Sequence, residues 1–158
     1  MLARYKIYRG KRPPDDPMPI GLRQDTRWRT RHPLRPTEAM VTAFLAAPCG
    51  AAWAKFRRAY LDLLKKRFKE DRGSFDELAS VAGANDVFLG CSCPTKLNPK
   101  IDHCHTFLAL QFMERKYPSL SVRLPRSRCW ASSGGGDLLS RHLRSPLGTN
   151  RVRRFSHP

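Results

Sequence analysis

Asp86-Val-Phe-Leu-Gly-Cys91-Ser-Cys93-Pro-Thr-Lys-Leu-Asn-Pro-Lys-Ile-Asp102-His103-Cys104-His105 is the stretch whose reading decides the fold. Its opening run, Asp86 to Cys91, is nearly all apolar, as a parallel strand covered on both faces requires. Parallel strands need long crossovers, usually helical, so such a strand implies an α/β fold. A polar loop follows. Asp102 then reads as the cap of a last helix, whose Phe107, Leu108, Leu110, Phe112, Met113 and Tyr117 leave little polar face before Pro118 ends it. Three of the five cysteines and two of the five histidines sit at this junction of strand end and helix start.

Upstream, Ser74-Phe-Asp-Glu77 fits a capping box that opens a short helix ending near Gly83. Before it, Ala51 to Glu70 carries the clearest amphipathic pattern. Trp53, Phe56, Tyr60, Leu63, Leu64 and Phe68 share one face, and Lys55, Arg58, Asp62, Lys66 and Lys69 the other. Thr37 caps a further helix with Glu38 in its first turn and Met40, Val41, Phe44 and Leu45 on its apolar face, stopped by Pro48 and Gly50. Ala3 to Tyr8 alternates as a first strand. From Gly10 to Pro36 six prolines exclude a continuous helix or a central strand, and the segment reads as a long loop. In that loop Arg23, Arg27, Arg29 and Arg31 recur at odd positions around Trp28, so an extended backbone would set arginines along one side.

The chain has 158 residues, 41% of them hydrophobic, enough for one domain with a real core. The domain is expected over 1–120. Residues 121–158, rich in Ser, Gly and Arg, read as a disordered basic tail in which only Asp137 to Leu143 suggests a helix; eight arginines there face Asp137 alone. A net charge of +17 favours anionic partners such as nucleic acid, nucleotides or membrane surfaces. The first residues lack a secretory pattern, and the most apolar window, Ala39 to Ala54, falls short of the ~18 residues of a spanning helix. A cytoplasmic protein with no membrane segment is expected. An odd number of cysteines, clustered with histidines, points to metal or thiol chemistry before disulfides.

Trp53-Ala-Lys-Phe-Arg-Arg-Ala-Tyr-Leu61, Phe75-Asp-Glu-Leu-Ala79, the strand end Leu89-Gly-Cys91 and the pair Cys104-His105 together resemble family 488 of the domains of unknown function, over roughly Tyr5 to Tyr117. The resemblance implies a small single-domain α/β fold with no established activity. It also implies a basic, tryptophan-containing segment after the first strand, where Arg27-Trp28-Arg29 stands. Members often carry an arginine after the Cys-His pair. Thr106 occupies that position here, and the tail has no counterpart.

Three readings compete at the Cys/His cluster. Cys91, Cys93, Cys104 and His103 have the ligand types of structural zinc, although Cys-x-Cys and adjacent His-Cys-His depart from the usual two-residue spacers. Alternatively, Cys104 in the first turn of a helix would be a tuned nucleophile with His103 or His105 as its base, acting on a nucleotide or phosphoester; the Asp102 carboxylate would oppose that thiolate. The plainest alternative is a core cysteine at a strand end beside histidines that bond backbone. Arg23, Arg27, Trp28, Arg29 and Arg31 form the expected ligand-binding set, with forks for phosphate and a ring on which a base stacks; the alternative is a solvated loop whose arginines pair with Asp25, Glu38 or other acids. The leading expectation is a small three-layer α/β domain with a mostly parallel sheet, binding nucleic acid or a phosphorylated ligand under a basic loop. A thiol or metal-dependent enzyme is the competing one.

Overall fold

A computed structural model describes residues 1–125. The elements run β1 (Leu2–Lys6), β2 (Leu22–Asp25), α1 (Glu38–Ala46), α2 (Gly50–Glu70), α3 (Arg72–Ala84), β3 (Val87–Cys91) and α4 (His105–Lys116). The three strands form an all-parallel sheet in the order β1-β3-β2, with Leu2 and Leu22 both opposite Val87. A small α/β domain is therefore what the sequence encodes. No helix among the described residues is long and apolar enough to cross a membrane.

Strand parity sorts the sheet. Leu2, Val87 and Leu89 share one face and are fully buried in the core. Phe88, on the other face, is only half-buried. The helix packed on β1 and β3 is α4, and α2 packs on α4 in turn. This sandwiched position explains why α4 has almost no polar side: Leu108, Ala109, Leu110, Phe112 and Met113 are all buried. Phe56, Tyr60 and Leu64 of α2 and Phe75 and Leu78 of α3 complete the core.

Local chemistry sets the helix starts. Thr37 caps α1, its hydroxyl accepting from the Met40 amide at 3.3 Å. At α3 the capping-box expectation is corrected. Asp71, not Ser74, is the N-cap, and its carboxylate accepts from both the amide and the hydroxyl of Ser74. A carboxylate is the stronger acceptor, and it draws the helix start back to Arg72.

Two further expectations are corrected. The proline-rich loop contains β2, because Leu22 to Asp25 falls in the gap between Pro19 and Pro33 and every amide there is free to pair. The Leu22 amide donates to the Asp86 carbonyl at 2.8 Å and that of Thr26 to the Gly90 carbonyl at 3.1 Å. The chain is also ordered past Leu120: Ser121 to Arg123 pairs with Leu2, which donates to the Ser121 carbonyl and accepts from the Arg123 amide. Residues 126–158 of the expected basic tail, including the helix near Asp137, lie outside the described residues.

Candidate functional site: a thiol-floored cleft

All three strands are parallel, so Lys6, Cys91 and Asp25 end at one edge of the sheet, the edge where open α/β folds bind ligands. A cleft of about 310 Å³ opens there. Cys91, Cys93 and Cys104 line it together with His103 and His105; Val41, Phe44, Leu45 and Phe56 give it apolar walls; Arg9, Arg27, Trp28 and Arg29 complete it.

The thiols come from three different settings: the last residue of β3, the loop beyond it, and the N-cap of α4. Their sulfurs all lie within 4.8 Å of one another. Cys91 and Cys104 are buried, and Cys93 is half-buried. No disulfide joins any of the four cysteines among the described residues. The α4 start is a correction. The helix begins at His105, with Cys104 rather than Asp102 at the cap and its carbonyl accepting from Phe107 and Leu108.

His105 is held in one tautomer. Its Nε2 lies 2.9 Å from the Thr26 carbonyl and 3.0 Å from the Thr26 hydroxyl oxygen, while that hydroxyl donates its proton to the Gly90 carbonyl at 2.8 Å. Both Thr26 oxygens therefore accept, and Nε2 carries the hydrogen. The bare Nδ1 faces Cys91 Sγ at 3.6 Å. His103, expected among the metal ligands, is not within that mutual distance of the three thiols; its ring stacks on Trp53 at 4.6 Å.

Each sulfur also meets a donor that is not a thiol. The Cys93 amide donates to Cys91 Sγ and the Asn98 side-chain amide to Cys93 Sγ, both at 3.5 Å. Thr106 Oγ1, which accepts from Arg4 Nε at 3.4 Å, lies within hydrogen-bond distance of Cys104 Sγ at 3.0 Å, a bond in which either group is able to donate. Arg4 further donates to the Cys93 carbonyl at 2.6 Å. The three thiols compete for one negative charge. Hydrogen bonds from Cys91 and Cys93 hold Cys104 well below the usual thiol range despite its burial. The same contacts with Cys104 raise Cys91 and push Cys93 up to about 12.

The basic segment is folded, not extended, which corrects the expected row of arginines. After β2 the chain turns, with the Thr30 amide donating to the Arg27 carbonyl at 3.0 Å. Arg27 forks onto Asp25, Nη2 to Oδ2 being 2.6 Å. Arg29 lies over the Trp28 ring, 4.6 Å from its centroid. Arg27, Trp28 and Arg29 thus reach the cleft; Arg23, exposed on the β2 edge strand, and Arg31, exposed beyond the turn, do not line it. A local attraction decides this: Asp25, two residues before Arg27, bends the chain back through the Arg27 amide as well as its guanidinium.

Sequence reasoning missed Arg4, Arg9, Thr26, Asn98 and Thr106. For Arg4 the signal was parity, since it shares the inward face of β1 with Leu2. Thr26 and Asn98 carried none, because a buried polar residue in a loop is defined only by the groups that reach it from elsewhere. Set against family models, curated proteins and solved structures, the chain matches none.

Proposed function

We propose that the cleft binds a phosphorylated ligand of mononucleotide size, with Arg9 and Arg29 meeting the phosphate and the apolar wall beside Trp28 receiving the base. The observation that carries this reading is the convergence of guanidinium groups, an indole and an apolar wall on one cleft at the carboxyl edge of a parallel sheet. Arg27 serves differently from Arg29: with Asp25 already in its fork, it shapes the rim rather than supplying a free charge. A concave site of about 310 Å³ suits a small ligand better than a duplex. A reducing compartment such as the cytoplasm would keep the floor thiols free.

The test is fluorescence titration of the full chain with a purine mononucleotide and, separately, with a single-stranded oligonucleotide across a salt series. Saturable mononucleotide binding, weakened about tenfold or more by Arg29→Ala, is expected on the loss of a charge-assisted contact. No saturable mononucleotide binding, or binding indifferent to Arg9→Ala and Arg29→Ala together, overturns the proposal. Oligonucleotide binding with a steep salt slope and none to the mononucleotide would move the reading to nucleic acid.

The competing reading is thiol chemistry on a nucleotide or phosphoester through Cys104, with His105 as base. The hydrogen bonds that favour a Cys104 thiolate support it. Cys104 as a residue is only 1% exposed, and His105 directs its bare nitrogen at Cys91, so the geometry supports binding better than attack.

A further inference from the structure

We infer that Cys91, Cys93 and Cys104 form a three-thiolate site for a single zinc ion, with its fourth position toward the cleft. Nothing in this inference depends on the phosphorylated-ligand reading. Zinc bonds thiolate sulfur at about 2.3 Å, so thiolates at adjacent corners of its tetrahedron sit roughly 3.8 Å apart. Three sulfurs mutually within 4.8 Å are already gathered to nearly that spacing.

Three features separate this cluster from cysteines that merely share a core. Its members come from a strand end, a loop and a helix cap, so no local regularity brings them together. Every sulfur is in hydrogen-bond contact with a donor-bearing group other than a thiol: Cys91 accepts from the Cys93 amide, Cys93 from the Asn98 side chain, and Cys104 lies 3.0 Å from the Thr106 hydroxyl oxygen. Donors of that kind orient metal-bound thiolates and spread their charge. Finally, three thiolates around a divalent ion leave one net negative charge, and the Arg4 guanidinium is bound to the Cys93 carbonyl and to Thr106 beside it.

The same geometry excludes His103 as the fourth donor, since its ring is stacked on Trp53 outside the sulfur group. His105 turns Nδ1 toward Cys91 yet also stands outside the set of mutually close donors. All three cysteines line the cleft, so the remaining position falls to water or to a donor atom of a molecule bound there. Three protein ligands and one exchangeable position is the arrangement of zinc sites that meet substrates.

The experiment is titration of the reduced full-length chain with cobalt(II), followed by displacement with zinc. One equivalent of cobalt should raise a thiolate-to-cobalt charge-transfer absorption that one equivalent of zinc abolishes. Cys93→Ser should lose most of that absorption while keeping the far-ultraviolet circular dichroism of the parent, and Cys49→Ser should leave it unchanged. In the unmutated chain, zinc should slow alkylation of the half-exposed Cys93 at least tenfold without slowing that of the exposed Cys49. No thiolate-to-cobalt absorption, a Cys93→Ser variant with undiminished absorption, or Cys93 alkylation indifferent to zinc would each overturn the site. Mononucleotide binding is measured separately, so failure here leaves the ligand reading standing and the reverse holds equally.

Discussion

The Tyr60 hydroxyl, fully buried on α2, donates a hydrogen bond to the backbone carbonyl of Leu34, itself fully buried. One bond thus ties the end of the basic segment to the longest helix. Removing only the hydroxyl leaves that carbonyl without its donor, so Tyr60→Phe should cost about 1–3 kcal/mol. Urea denaturation of the two proteins measures the difference, and an unchanged midpoint would show that water replaces the hydroxyl.

Arg67 makes a second tie, donating through Nη1 to the carbonyls of Pro33 and Arg35. Charge-assisted bonds to backbone hold this loop where a hydrophobic residue of similar length cannot. Arg67→Met should destabilise by about 1–2 kcal/mol, and amide exchange should quicken around Leu34 before it does in α4. Uniform quickening throughout the chain would argue against a local role.

His32 offers a pH test. Its Nδ1 accepts from the Leu34 amide at 3.1 Å, so Nε2 donates to Gln24 Oε1 at 2.7 Å and the ring is neutral. Burial, reinforced by His105 nearby, lowers its pKa from 6.5 to about 4. As pH falls the unfolded chain takes up this proton first, so its contribution is fully present above pH 6.5 and is lost on the way to pH 4. Up to about 3 kcal/mol is at stake over that window. Asp25, lowered by Arg27 against the effect of burial, acts at more acid pH. Urea denaturation at pH 7 and pH 4.5 should show a smaller loss in His32→Gln than in the parent; equal losses would place the acid sensitivity elsewhere.

Gly21 has φ of +140°, and a Cβ placed there would lie 2.5 Å from the Asp86 carbonyl oxygen and 2.9 Å from the Phe88 ring. The backbone at Asp86 already pairs with Leu22 and cannot retreat without breaking β2 from β3. Gly21→Ala should therefore cost at least about 2 kcal/mol, from strain and crowding together. Gly10→Ala, where nothing lies within 4 Å, is the control and should be near neutral in the same thermal melts.

Helices were legible where one chain segment decides them. Thr37, and the buried face of Phe56, Tyr60 and Leu64, needed nothing from elsewhere, and β3 declared itself by an apolar run. What stayed hidden depends on partners far along the chain. Leu22 to Asp25 has no apolar alternation because it is an edge strand, held by backbone pairing with β3. The cysteines at 91, 93 and 104 were visible as a cluster, but their sulfurs meet only because β3 and α4 deliver them to one end of the sheet. Arg27 was legible as basic, and Asp25, two residues away, was legible as one acid that pairs with the segment; which arginine it takes is set by the turn. Alternation suggested an extended chain, and the Asp25 side chain overrode it.

The strand order has a consequence for how the chain is made. β1 and β2 are translated before α1, α2 and α3, yet each pairs along its length with β3, which is translated after those three helices. Until Cys91 has left the ribosome the nascent chain can form α1, α2 and α3 locally but no sheet, and Leu2 has neither Val87 nor Ser121 to pair with. The central strand and its cysteine thus arrive as the keystone of a structure whose flanks have been waiting unpaired, and a ribosome stalled before β3 would present those flanks to chaperones.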